Sequence, residues 1–148
     1  MRIFLVVLAV LWGAREFPAA ALSVGLDRSE IYRPLLQGRR IGLVVNQASL
    51  SVSGAHAIDK LRSEGFSVVK LFALEHGVRG EGGAGEEISD GIDAVSGLPV
   101  ISLYGPVKKP TPAHLAGLDL IVYDVQDVGV RFFTYISSLG LILEAAAE

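Results

Sequence analysis

Four apolar runs in this sequence end in side chains able to do chemistry. Asn46 and Gln47 follow the first, Glu75 and His76 the second, Tyr104 the third, and Asp124, Gln126 and Asp127 the fourth. Breaking a glycosidic acetal needs one carboxylic acid to protonate the leaving oxygen, and a second carboxylate or a substrate group to assist attack at the sugar carbon. Glu75 is the best candidate for the acid, because a strand exit fixes its backbone while its side chain can turn into a crevice. Such an acid must keep its proton near neutral pH, and repulsion from Asp124 or Asp127 would push its pKa upward. Arg79 opposes this if it pairs with Glu75, so a working site needs that guanidinium turned toward substrate or toward another acid. The plainer alternative has each Asn and Asp capping its own turn.

Other chemistries find less in the sequence. The glycine cluster at 80–85 has neither dinucleotide nor P-loop spacing, and the acids within it would repel phosphate. There is no Cys, hence no thiolate nucleophile, disulfide or Cys-containing zinc site. His56, His76 and His114 form no H-E-x-x-H motif; only Glu75, His76 and Asp124 together suggest a metal, as a minor alternative, and neither metal nor cofactor is expected. The net charge is −3, or −4 once residues 1–21 with Arg2, Arg15 and Glu16 are removed, and no basic patch suits nucleic acid.

The elements that position these residues follow from hydropathy. Runs at 41–45, 67–74, 99–104 and 118–124 are apolar almost throughout, the pattern of strands covered on both faces. A short or broken helix is predicted in 22–36, with Ser29 as its cap and Pro34 near the middle. A second helix is predicted at 54–64 with Ala57, Ile58 and Leu61 on one stripe, a single turn at 112–116, and a last helix at 134–148. Strand, helix and strand within about 30 residues make a βαβ unit. The fold class is therefore α/β, a three-layer Rossmann-like domain with a mainly parallel sheet. In such a sheet the strand exits share one edge, where ligands bind. The glycine-rich stretch 75–96 reads as a lid over that edge or as a solvated excursion.

The chain ends carry further expectations. Arg2, an apolar run at 3–12 too short to span a bilayer, and Ala19 and Ala21 suggest a leader at 1–21 and an exported domain, periplasmic or extracellular, at 22–148. No stable membrane span is expected after cleavage. The last helix meets the chain end with no following strand, so the domain is expected to be incomplete, with Leu139, Leu141, Ile142 or Leu143 partly uncovered.

Four ordered motifs carry a resemblance: Val45–Ser49, Leu74–Gly80, Leu98–Gly105 and Asp124–Tyr135. In them the chain resembles the YbbC/NamZ family, from about Gly38 onward. The resemblance implies a Rossmann-like N-terminal domain, a smaller C-terminal domain absent from this chain, and exo-β-N-acetylmuramidase activity on peptidoglycan-derived sugars. By motif it implies that Glu75 and His76 match the family's acidic-histidine pair and that Gln126 and Asp127 match the polar end of the fourth strand. The catalytic set expected is Glu75, His76 and Asp127, with Asn46, Gln47, Arg79, Tyr104, Asp124, Gln126, Arg131 and Tyr135 expected to bind substrate. Leu74 departs from the proline many members carry there. The substrate implied bears a lactyl carboxylate, for which Arg131 is favoured over Arg79; the alternative is Arg131 bracing its turn against Asp127 or Asp124. The competing function class, noncatalytic carbohydrate binding, would use the same crevice with Tyr104 and Tyr135.

Overall fold

The structure, a computed structural model, describes residues 23–148, so the proposed leader lies outside the described residues. A 3-10 turn at Gly25–Asp27 leads into α1 (Ser29–Leu36), β1 (Arg40–Val45), α2 (Ala57–Ser63) and β2 (Ser67–Ala73). Then come β3 (Gly91–Ile92), β4 (Pro99–Ser102), α3 (Pro112–Leu115), β5 (Leu120–Asp124) and α4 (Tyr135–Ala147). One sheet runs in the order β3-β4-β2-β1-β5, parallel except for β3, which lies antiparallel on β4. The expected α/β class with its mainly parallel sheet is therefore the observed one.

Continuous apolar character made β1 a central strand. Ile41, Leu43 and Val45 face a core shared with Leu26, Leu36, Ala57, Ile58 and Leu61, while Val44 faces a second core with Phe72, Leu103, Tyr135 and Ile142. α1 and α2 thus cover one face of the sheet, α3 and α4 the other. Gly42 is where the second layer comes closest: a Cβ there would meet Leu118 at 2.6 Å and Phe72 at 2.8 Å, so no larger residue fits without a shift.

One local expectation is corrected, one strand was missed, and one expectation is met in part. The helix N-cap is Arg28, without a side-chain cap bond, rather than Ser29, and Pro34 sits inside α1 without ending it. β3 went unpredicted because its two exposed residues carry no apolar pattern. In α4 the helical phase buries Ile142 at 3% exposure but leaves Leu143 at 62%, so the expected uncovered apolar face is present at Leu143 and not at Ile142.

The order of strands locates the site. The chain passes from β1 outward through β2 to β4, then returns to lay β5 on the opposite side of β1. The order reverses between β1 and β5, and beyond the carboxyl ends of such a pair a crevice opens.

Candidate functional site

A concavity of about 380 Å³ lies at those exits. Its wall takes Asn46 and Gln47 from the end of β1, Glu75 and His76 from the end of β2, and Gln126, Thr134 and Tyr135 from the segment joining β5 to α4. Val128, Phe132 and Phe133 add apolar surface. Six of the residues expected from sequence are thus brought together: Asn46, Gln47, Glu75, His76, Gln126 and Tyr135.

Glu75 is the one carboxylate on this wall among the described residues. Its Oε2 accepts from the Thr134 hydroxyl at 3.0 Å and its Oε1 from the Gly85 N–H at 3.2 Å. Burial pushes its pKa up, but hydrogen bonds from Thr134, Tyr104 and the Gly85 N–H, with His76 close by, outweigh it and hold Glu75 below the ordinary glutamate value. The expected upward push from Asp124 or Asp127 is therefore corrected. Tyr104 does not line the concavity; the neighbouring Glu75 carboxylate raises the tyrosine's pKa.

His76 follows with φ of 71°, the only non-glycine in the left-handed region among the described residues. Its Nδ1 lies 3.1 Å from the Gly82 carbonyl, so Nδ1 carries a proton and donates. The Gly82 N–H returns a bond to the His76 carbonyl. Backbone strain of this kind persists only where neighbours over-determine it, and it concentrates at functional sites.

Those ties continue along 75–96, which is no free lid. Arg79 spends four hydrogen bonds on two aspartates, Nε and Nη2 on Asp93 at 2.7 and 3.0 Å, Nη1 and Nη2 on Asp59 at 2.9 and 3.0 Å. The guanidinium holds the buried Asp93 well below the usual carboxylate range and lowers Asp59 as well. Arg79 therefore does not pair with Glu75, and four of its five N–H donors are taken by aspartates. Asp90 accepts from the Ser102 N–H at 2.7 Å and the Ile88 N–H donates to the Tyr104 carbonyl, fastening the rest of the loop beside β4.

On the β5 side three residues fall away from the wall. Asp124 lies with the opposite layer, along a groove bordered by Leu26, Tyr32 and Leu36, and burial raises its pKa. Asp127 accepts from the Gly129 N–H at 2.6 Å, capping its own turn. Arg131 is exposed and forms no ion pair among the described residues, so the bracing to Asp127 or Asp124 does not occur. Nor are Glu75, His76 and Asp124 grouped as a metal would need; no cluster of three candidate ligands occurs among the described residues.

Thr134 escaped the sequence reading. A threonine ahead of a helix normally caps it, and Thr134 does occupy the N-cap of α4, yet its side chain makes no cap bond and turns to Glu75 instead. Its place within the fourth motif was the available signal. The aromatic run Phe132, Phe133 and Tyr135, in successive edge-to-face contacts of 5.5 and 6.0 Å, was missed in the same way except for Tyr135.

Residues 41–148 match the family described as "Exo-beta-N-acetylmuramidase NamZ, N-terminal". The chain is 45% identical over 118 residues to the "Peptidoglycan beta-N-acetylmuramidase NamZ" of Bacillus subtilis (strain 168), covering 79% of this chain and 28% of that protein. Two crystal structures of DUF1343 family proteins from Bacteroides fragilis share the fold. One has a TM-score of 0.75 at 41% identity, the other 0.70 at 34%, each covering 84% of this chain and 31% of the solved one. The chain thus spans less than a third of the length of these relatives.

Proposed function

The chain belongs to the exo-beta-N-acetylmuramidase NamZ N-terminal family, and on that premise we propose that the whole protein is an exo-acting glycoside hydrolase. It releases N-acetylmuramic acid from the non-reducing ends of peptidoglycan fragments. The observation that carries this reading is Glu75, a single carboxylate held by the Thr134 hydroxyl and the Gly85 N–H at the strand exits where a sugar would lie. Export to the periplasm or cell exterior, where peptidoglycan is found, is part of the proposal and rests on the leader-like residues 1–21.

Glu75 acts as the general acid once substrate draws the Thr134 and Tyr104 hydroxyls away. Burial, the factor that raises its pKa, then dominates and lets it hold the proton the leaving oxygen needs. The assisting role falls to the substrate's own acetamido group or to Asp127, one residue beyond Gln126 on the wall.

The ionised state of Glu75 with its donors in place supports a second reading, in which the carboxylate works charged, stabilising the developing oxocarbenium ion or attacking it. Both readings are separated from noncatalytic binding by one assay on the full-length protein. Wild type releases free N-acetylmuramic acid from a muramyl-glucosamine disaccharide, and Glu75→Gln lowers turnover roughly 100-fold or more with folding intact. Disaccharide bound but never cleaved would leave a binding domain. Asp127→Asn keeps the turn acceptor for Gly129; a fall in turnover comparable to that of Glu75→Gln assigns Asp127 the assisting role, and near-normal turnover assigns it to the substrate.

A further inference from the structure

Asn46 holds the one buried donor at the site that the protein leaves unused. The residue is 1% exposed, at the last position before the β1 exit turns away. Its main-chain N–H donates to Ser49 Oγ at 3.0 Å, and that hydroxyl donates onward to the Asp124 carbonyl. Its main-chain carbonyl accepts from His56 Nε2 at 3.0 Å; the tautomer is fixed, because His56 Nδ1 accepts from the Ile58 N–H at 3.3 Å and so carries no proton. Its Oδ1 accepts from the Ala48 N–H at 3.0 Å. This last bond also fixes which end of the amide is oxygen, since a flipped amide would set donor against donor. Only Nδ2 has no partner.

A buried donor without an acceptor is costly, and native proteins keep one where a ligand or water completes it. Here every other polar group of the residue is tied, so the amide cannot swing to find another partner. Asn46 also lines the concavity that holds Glu75.

We infer that Asn46 Nδ2 is a preset binding donor for a carbonyl or carboxylate oxygen of the N-acetylmuramyl sugar, an inference that rests on the muramidase reading and extends it to substrate recognition. Sugar hydroxyls can be served by Glu75, Gln47 or Gln126, which accept hydrogen bonds. The acetamido carbonyl and the lactyl carboxylate only accept, so they need a donor. Arg79, the arginine nearest in sequence to Glu75, spends four of its five N–H groups on Asp59 and Asp93. The bond to Ala48 already sets the amide's orientation, so binding costs it no reordering, but the groups that shut Nδ2 from solvent must yield for a sugar oxygen to reach it.

The test uses the full-length protein and Asn46→Asp, which retains an oxygen for the Ala48 N–H and replaces only the unused NH2. Calorimetry with free N-acetylmuramic acid and free N-acetylglucosamine reads affinity apart from turnover. The expected result is at least about a tenfold weaker hold on N-acetylmuramic acid. A loss confined to that sugar assigns Nδ2 to the lactyl carboxylate, and an equal loss on both assigns it to the acetamido carbonyl. Unchanged affinity for both sugars in a folded variant overturns the inference. If Asn46→Asp fails to fold, a crystal structure of the wild type with N-acetylmuramic acid decides. An acceptor oxygen of the sugar within about 3.2 Å of Nδ2 supports the inference, and a water or no contact there overturns it. Should wild type bind the sugar through Asn46 but cleave no disaccharide, the hydrolase reading fails and the binding donor stands.

Discussion

The two walls of the concavity are built differently. Asn46, Gln47, Glu75 and His76 stand on β1 and β2, each with a parallel strand neighbour on both sides, and on a loop fastened by Arg79, Asp93 and Asp90. Gln126, Val128 and Phe132 stand on the exit of β5, an edge strand paired only with β1 and half-buried along its whole length. Beyond β5 the main-chain N–H groups bond locally, Gly129 to the Asp127 carboxylate and Phe133 to the Val130 carbonyl, until Thr134 meets Glu75 and the Tyr123 hydroxyl reaches the Tyr135 carbonyl at 2.9 Å. The difference teaches where precision resides. The first wall is held by bonds that cross the sheet and the loop, the second mostly by bonds within its own segment.

Damage to the first wall's fastening should cost the most. Asp93 is buried and bidentate to Arg79, so Asp93→Asn in the full-length protein should lower stability by roughly 3 kcal/mol, in the range for breaking a buried pair by removing one partner. Thermal or chemical unfolding measures it, and a loss under about 0.5 kcal/mol would break the comparison. The pH dependence has a definite sign. The folded-state pKa of Asp93 is depressed, so its contribution is whole above the unfolded value of about 3.9 and is lost as pH falls below it. The deficit of Asp93→Asn should therefore shrink in acid and be full at neutral pH.

A smaller effect is expected where the walls touch. Thr134→Val removes a donor to the charged form of Glu75 without a cap bond to lose, so the pKa of Glu75 should rise. In the pH profile of kcat/KM the limb set by Glu75 should move upward by roughly one unit or less. Movement of the basic limb identifies Glu75 as the acid, and movement of the acidic limb identifies it as the working carboxylate. A profile that does not move would detach Thr134 from Glu75 in solution.

The smallest structural effects belong to the second wall. Arg131→Lys keeps the charge but loses the planar fork; stability should stay within about 0.5 kcal/mol, since the guanidinium makes no ion pair among the described residues. If Arg131 swings to the lactyl carboxylate, KM for muramyl substrates rises more than for analogues lacking that group. Equal kinetics on both would leave Asn46 as the donor and Arg131 as a solvated surface charge. Gln126→Ala should likewise leave unfolding unchanged and raise KM alone.

The sequence by itself determined that this chain is α/β and that its polar side chains gather at strand exits. Runs such as Ile41–Val45 are apolar on both faces, which only a strand covered twice can satisfy, and parallel strands bring their exits to one edge. What the tertiary structure alone decided is which exits meet. β5 could lie beside β4 or return to β1, and its return sets Gln126, Thr134 and Tyr135 opposite Asn46 while turning Asp124 to the far face. The charge state of Glu75 depends on Thr134, 59 positions away, and the partners of Arg79 lie 20 and 14 positions away. Hydropathy reports which side of an element is buried, through a period of two or 3.6 residues. It carries no record of which donor a carboxylate will face, because that pairing is fixed by strand order and by the few-ångström geometry of packed side chains.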